Sequence, residues 1–125
     1  MNLLIDRHTL IWAFENIPKL CKAAKDAIID GQNMVFVSAA TVWEISIKRA
    51  LGKLEAPDNL LNEIEIHRFT LLDITALHAD AAGRLPNIHT DPFDRMLIAQ
   101  AQLENMVLVT RDQHILKYDV KYLTA

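Results

Sequence analysis

Short apolar runs recur along this chain, and longer stretches with helical spacing of apolar residues lie between them. The runs cover residues 3–5, 34–37, 69–72 and 107–109, with a weaker fifth at 120–123. Runs of three or four largely apolar residues without alternation are typical of strands buried on both faces of a parallel sheet. The pattern therefore predicts four short strands and a possible fifth.

Helix signals fill the segments between these runs. Ser38 and Thr75 can act as N-caps, and Gly52 and Asn105 are stop signals. The predicted helices cover residues 9–14, 18–28 beginning at Pro18, 40–51, 57–67 opened by Pro57 and Asp58, 75–83, and 91–104. Strands that alternate with helices predict an α/β fold. We expect an αβα sandwich with a central parallel sheet of four to five short strands, in one domain over residues 1–125.

Composition restricts the class of protein. The chain has 125 residues, of which 51% are hydrophobic and 23% charged, and this excludes an intrinsically disordered protein. The single cysteine, Cys21, excludes disulfide frameworks and zinc ribbons within one chain. No apolar run approaches the ~18 residues of a membrane span, and Asp6 and Arg7 interrupt the N-terminal run. We therefore expect a cytoplasmic protein.

Acidic residues gather at particular places in the predicted topology. Asp6 follows the first strand, Asp112 comes shortly after the fourth, and Glu44 lies in the helix that leaves the second. Asp91 and Asp94 occupy the first turn of the helix before the fourth strand. In parallel sheets, sites form outside the carboxyl ends of the strands. The sequence thus predicts that these carboxylates approach one edge of the sheet.

Each acid taken alone also has an ordinary structural interpretation. Asp91 before a proline is a good N-cap, and Asp94 suits the positive end of the helix. Asp112 can form a turn, and Glu44 can pair with Lys48 four residues later. Glu44 fits that interpretation least well, because apolar residues flank it and predict that it is at least partly shielded.

Carboxylates that converge on one edge repel one another unless a cation joins them. Mg²⁺ and Mn²⁺ prefer oxygen ligands and often bind substrate phosphates as well. The chain carries a net charge of −3, and the charge becomes +1 when Asp6, Glu44, Asp94 and Asp112 are left out of the count. A mildly acidic protein can therefore present an electropositive metal site to a polyanion.

Several motifs resemble those of the PIN-domain ribonucleases, and in particular of the VapC-like toxins of bacterial toxin–antitoxin pairs. The matching segments are Leu3-Leu4-Ile5-Asp6 with His8 and Trp12, SAATVWEISIKRALGKL at 38–54, DITALH at 73–78, Leu85-Pro86, DPFDRMLIAQA at 91–101, VTRD at 109–112, and Tyr118-Asp119-Val120. Their order and spacing extend over nearly the whole chain.

The resemblance implies a metal-dependent endoribonuclease that hydrolyses RNA phosphodiester bonds by in-line attack. It implies one or two Mg²⁺ or Mn²⁺ ions, with these catalytic and metal-binding residues: Asp6, Glu44, Asp94 and Asp112. Asp91 is interpreted as a helper or cap, and Thr110 as a hydroxyl that orients a carboxylate or water. Arg7 departs from the Thr or Ser usual after the first Asp. It could clamp an RNA phosphate or compete with the metal.

For the remaining polar and aromatic residues, the sequence supports weaker predictions of RNA contacts and packing positions. Candidates for contacts with RNA phosphates are Arg7, Lys48, Arg95 and Arg111, whereas Lys53 and Arg49 are interpreted as surface charges. His8 and His89 are expected to be packing or loop residues, and Trp12 and Trp43 to lie in the core. The resemblance further implies an RNA substrate, a cognate antitoxin and a homodimer, with residues 43–54 and 60–66 as plausible contact surfaces.

Two other functions remain open. A phosphoacceptor receiver domain has similar length and an acidic Mg²⁺ pocket, but it needs adjacent acids after the first strand, and Asp6-Arg7 supplies only one. A PIN-like module that binds RNA or protein with weak or no catalysis is the stronger alternative, and Arg7 is the feature that favours it.

Overall fold

Five parallel strands form the centre of this protein in a computed structural model, which describes residues 1–15 and 19–125. The strands are β1 (Asn2–Ile5), β2 (Met34–Ser38), β3 (Thr70–Leu72), β4 (Val107–Thr110) and β5 (Tyr122–Thr124). Their order across the sheet is β3-β2-β1-β4-β5, and every pairing is parallel. The α/β class and the predicted number of strands are confirmed.

Within the described residues, six helices connect and cover these strands. They are α1 (Arg7–Glu15), α2 (Lys22–Ile29), α3 (Ala39–Ala50), α4 (Leu60–Ile66), α5 (Ala76–Arg84) and α6 (Pro92–Leu103), and a 3₁₀ turn follows at Ile115–Lys117. Pro18, the predicted start of the second helix, lies outside the described residues. The prediction that Pro57 and Asp58 open the fourth helix is wrong, because α4 begins after Asn59.

Apolar side chains pack on both faces of the sheet. Leu3 and Ile5 of β1 belong to one core cluster with Leu10 of α1, while Leu4 faces the opposite cluster with Leu97 and other residues of α6. These three β1 residues are fully buried. The placement on alternate faces explains why the central strand is apolar at successive positions rather than at every second one.

Predicted helix caps are formed by the expected residues. The Ser38 side chain accepts a hydrogen bond from Ala40 N, and the Thr75 side chain accepts one from His78 N. Gly52 and Asn105 have positive φ angles of 70° and 54°, which end helical conformation after α3 and α6. No helix in the described ranges is long and apolar enough to cross a membrane.

Candidate metal centre

The candidate site lies at the carboxyl edge of the sheet, where β1 and β4 pair side by side. Ile5 is in register with Val109, so Asp6 and Thr110, the next residue of each chain segment, come together. Asp6 N donates to Val109 O at 3.3 Å. Two residues that are 104 positions apart in sequence therefore meet because their strands are neighbours in the sheet.

Asp6 is buried, and hydrogen bonds hold both of its carboxylate oxygens. Thr9 donates to Oδ1 from its backbone N at 3.0 Å and from its hydroxyl at 2.6 Å. The Thr110 hydroxyl donates to Oδ2 at 2.7 Å. Asp6 also serves as the N-cap of α1, since Thr9 N is one of the donors that the first turn of a helix leaves without a partner in the helix. The carboxylate is thus fixed in place by both its own helix and β4.

Glu44 is also buried, on α3, and it is paired with two cations. Lys48 Nζ lies 2.8 Å from Oε2, and Arg7 Nε lies 3.5 Å from the same oxygen. The shielding predicted for Glu44 is confirmed by its exposure of 6%. The ion pair between Glu44 and Lys48, which the sequence also suggested, forms as well. Arg7 points its charge at this glutamate and so lies at the edge of the site.

Asp94 and Asp112 approach each other together with a residue that the sequence did not single out as a ligand. One ligand atom from each of Asp94, Asp112 and His89 lies within 4.8 Å of the other two. His89 Nε2 is 2.9 Å from Asp94 Oδ2. The three side chains could hold a metal ion between them.

The charge on Asp94 is unfavourable in the absence of a cation. Burial is the main cause that raises the pKa of Asp94 from 3.8 to about 6, and the negative charges of Asp91, Asp112 and Glu44 raise it further. The hydrogen bond from His89 acts in the opposite direction. Asp112 and Glu44 therefore lie near enough to Asp94 for their charges to act on its carboxyl group.

Two further residues organise the carboxylates. Asp91 caps α6, with Oδ1 accepting from Phe93 N at 2.8 Å and Asp94 N at 3.1 Å. The Thr110 hydroxyl, besides donating to Asp6, accepts from Asp112 N at 3.1 Å. Thr110 therefore connects the acid after β1 to the acid after β4.

Arg95 and Arg111, two of the residues expected to contact RNA, make several contacts within the protein. The Arg95 guanidinium donates to the carbonyl oxygens of Ala82, Leu85, Pro86 and His89 and to the Tyr118 hydroxyl, over 2.9–3.3 Å. Arg111 donates to the carbonyl oxygens of Ala125 and Lys19 and lies 4.6 Å from the ring centroid of Trp12. The phosphate contacts predicted for these two residues stay a prediction, as do those of Arg7 and Lys48, which pair with Glu44.

The two tryptophans differ from each other. Trp12 packs partly buried against the core, near its expected place. The prediction that Trp43 lies in the core is wrong, because it is 63% exposed and contacts Phe93 edge-on at 5.6 Å. Its position directly before the buried Glu44 explains the difference, since neighbouring residues on a helix point about 100° apart.

Sequence reasoning missed Thr9 and His89 as parts of the site. Asp6 and Thr9 have the spacing of an N-cap and its N3 residue, so the cap rule could have identified the pair. For His89, no pattern rule exists, because the loop before α6 determines where its side chain lies. The carboxylate oxygens assembled here fit Mg²⁺ or Mn²⁺, and the imidazole is a ligand type that transition ions accept.

Comparisons with known proteins agree with this architecture. A family model described as a PIN domain matches residues 3–121. One similar solved structure is VapBC2 from Rickettsia felis bound to a promoter DNA fragment, with 15% identity, a TM-score of 0.73 and coverage of 98% of both chains. Another is DNA-bound VapBC from Salmonella typhimurium, with 20% identity, a TM-score of 0.71 and coverage of 98% of this chain and 97% of that one. VapBC-1 from nontypeable Haemophilus influenzae is 21% identical, with a TM-score of 0.65 and coverage of 98% and 97%. The TM-scores and coverage show a shared fold, and at these identities the similarity shows the fold alone. A search of curated proteins found no match.

Proposed function

The chain belongs to the PIN domain family. From this membership we propose that it is a Mg²⁺- or Mn²⁺-dependent endoribonuclease and that it acts as the toxin of a toxin–antitoxin pair. The observation that carries the proposal is the grouping of Asp94 and Asp112 with His89, whose ligand atoms lie within 4.8 Å of one another. Thr110 links Asp112 to the nearby Asp6, and the charge of Glu44 acts on Asp94.

The residues of the site have separable roles in this proposal. Bound Mg²⁺ or Mn²⁺ supplies a water of lowered pKa and positive charge for the reacting phosphate. Asp6, Glu44, Asp94 and Asp112 bind one or two ions. Thr9 and Thr110 keep both oxygens of Asp6 oriented.

Arg7 and Lys48 are proposed to contact the RNA backbone. Both cations lie beside Glu44 Oε2 rather than free in solvent, so their charge is already placed at the edge of the site. An arriving phosphate can accept hydrogen bonds from these groups and position the scissile bond near the carboxylates.

Cleavage of structured RNAs in the presence of Mg²⁺ or Mn²⁺ tests the proposal. We expect wild-type cleavage and, for Asp94→Asn, a rate at least about 100-fold lower, because the substitution removes a charged metal ligand. Asp80→Asn is the matched control, since Asp80 is an exposed acid of α5 whose carboxylate pairs with Arg84 on the same helix. Equal loss in both variants, or no cleavage of any RNA by the wild type, would contradict the proposal.

The proposed partners follow from the family and the surface. One similar solved structure is a toxin–antitoxin complex from Klebsiella pneumoniae. We propose that this chain likewise binds a cognate antitoxin, forms a homodimer and acts in the cytoplasm. Trp43 and Leu51 near α3 and Leu61 and Ile66 on α4 are between 55% and 63% exposed, which suits contact surfaces. A chain that stays monomeric at micromolar concentration in size-exclusion chromatography would count against the dimer.

A binding module with little turnover is the second candidate. It is favoured by the contact of Arg7 with Glu44, which places a protein cation where an ion-binding carboxylate is needed. Metal binding measured by calorimetry without cleavage of any RNA would select this candidate over the nuclease.

A further inference from the structure

We propose that His89 is a nitrogen ligand of the metal centre and gives it a preference for Mn²⁺ over Mg²⁺. This inference rests on the proposed function, because it concerns the same ion, but it assigns the ligand role to a residue outside the four carboxylates. The chemical class of the preferred ion is a divalent first-row transition metal.

The position of the imidazole is the first support. His89 Nε2 lies 2.9 Å from Asp94 Oδ2, and its side chain is only 17% exposed. Its ligand atom and those of Asp94 and Asp112 lie within 4.8 Å of one another. Ligand atoms at about 2.1 Å from one ion are at most about 4.2 Å apart. The three ligand atoms therefore lie near the spacing that one shared ion requires, and the side chains must draw together to bind it.

The backbone of His89 is held on both sides, so the ring is presented to the acids from a fixed support. His89 N donates to the Tyr118 hydroxyl at 2.9 Å, and Arg95 Nη1 donates to His89 O at 3.2 Å. The Tyr118 hydroxyl donates in turn to Pro86 O at 2.9 Å. Arg95 directly follows Asp94 on α6, so the turn of helix that carries the acid also fixes the loop that carries the histidine. Such support is typical of metal ligands.

A second histidine nearby provides an internal comparison. His114 stacks on His89 with ring centroids 4.8 Å apart and an angle of 11° between the planes. Its Nδ1 is 3.3 Å from Asp112 Oδ1, but its side chain is 58% exposed. His114 thus limits the movement of the His89 ring from the solvent side. Of the two histidines, His89 is the one whose ligand atom groups with both acids.

The chemistry of an imidazole decides which ion benefits. Mg²⁺ takes oxygen ligands almost exclusively, whereas transition ions accept imidazole nitrogen together with carboxylates. A site of carboxylates alone discriminates weakly between Mg²⁺ and Mn²⁺. Addition of His89 Nε2 strengthens the binding of Mn²⁺ and leaves that of Mg²⁺ nearly unchanged.

Electron spin echo spectroscopy of the Mn²⁺-loaded protein tests the assignment, because it detects ¹⁴N coupling from a directly bound imidazole. We expect ¹⁴N coupling in the wild type and in His114→Gln, and its loss in His89→Gln and His89→Asn. Titration calorimetry with Mn²⁺ and with Mg²⁺ should give an affinity ratio of Mn²⁺ to Mg²⁺ that falls on the order of tenfold in both His89 variants. His114→Gln should keep the wild-type ratio.

The outcomes separate this inference from the proposed function. Mn²⁺ binding that Asp94→Asn abolishes, but without ¹⁴N coupling in the wild type or with coupling that persists in the His89 variants, would overturn the role of His89 and leave the carboxylate metal centre standing. An absence of Mn²⁺ binding by the folded wild type would overturn both. Two His89 variants are included so that the result does not depend on the folding of one of them.

Discussion

Asp6 and Asp94 are acids of the same sheet edge, yet their surroundings differ in kind. Asp6 accepts three hydrogen bonds from Thr9 and Thr110, whereas Asp94 has His89 as its side-chain partner and three acids nearby. The pKa of Asp94 is raised to about 6, mainly by burial. We refer to Asp6, Thr9 and Thr110 as the hydroxyl half of the site, and to His89, Asp94 and Asp112 as the acid half.

The comparison indicates a division of tasks. The hydroxyl half stabilises its carboxylate in the folded protein and fixes it before any ion arrives. The acid half accumulates negative charge that a proton or a metal ion relieves. Stability should therefore depend on the first half, and affinity for the ion on the second.

Asp6→Ala should give the largest effect on stability. The substitution removes the N-cap of α1 and leaves the Thr9 and Thr110 donors buried without their acceptor. We expect a loss of about 4 kcal/mol in the free energy of unfolding of the metal-free protein, measured by urea denaturation. A loss below about 1 kcal/mol would show that the hydroxyl half does not support the fold.

Asp94→Asn should raise the free energy of unfolding of the metal-free protein above pH ~6, in contrast to the loss expected for Asp6→Ala. Because the pKa of Asp94 in the folded protein, about 6, exceeds its ordinary value of 3.8, the folded state holds the extra proton between these values. Stability then falls as pH rises through this window, by at most about 3 kcal/mol. In metal-free protein, the variant should be as stable as the wild type below pH ~4 and more stable above pH ~6. Urea denaturation across this range is the measurement, and a constant difference between the two proteins would contradict the assignment.

Thr9→Val tests one bond of the hydroxyl half while keeping the shape of the side chain. The valine loses the 2.6 Å hydrogen bond to Asp6 but leaves the donation from the backbone N of residue 9. We expect a loss of about 2 kcal/mol in the free energy of unfolding, about half the effect of Asp6→Ala. Thr70→Val is the matched control, because Thr70 lies at the exposed start of β3, and it should change stability little. Equal losses in the two threonine variants would contradict a specific role for the Thr9 hydroxyl.

Trp43→Ala should have the smallest effect on the isolated chain. Its side chain is 63% exposed and contacts Phe93 at the surface. We expect a change within about 0.5 kcal/mol in the unfolding of the monomer. A larger loss that depends on protein concentration would instead indicate that Trp43 stabilises an association between chains, which dilution would reveal.

Much of the fold follows from local signals. The strands near 3–5, 34–37 and 107–109 were predictable because apolar residues at every position require burial on both faces. Asp91, Ser38 and Thr75 cap their helices as the cap rules predict. Pro57 did not start α4, since a proline suits the first turn of a helix but also suits the extended segment before one.

The sequence predicts that the carboxylates approach one edge of the sheet. It does not predict the contacts that position the side chains there. Topology brings Asp6 and Thr110 together once β1 and β4 are neighbours, whereas pattern alone does not supply the strand order. His89 and Arg95 could not be interpreted from the sequence, because their contacts depend on the path of the loop that joins α5 to α6. Trp43 was misplaced since apolar character alone does not distinguish a core position from an exposed one.

The hydrogen bond from Thr110 to Asp6 spans 104 positions of the chain. During translation, β1 emerges from the ribosome early and stays without its β4 neighbour until nearly the whole domain has been made, since folding units assemble as they are synthesised. The half-made polypeptide therefore cannot yet bring the acid that follows β4 to the acid that follows β1.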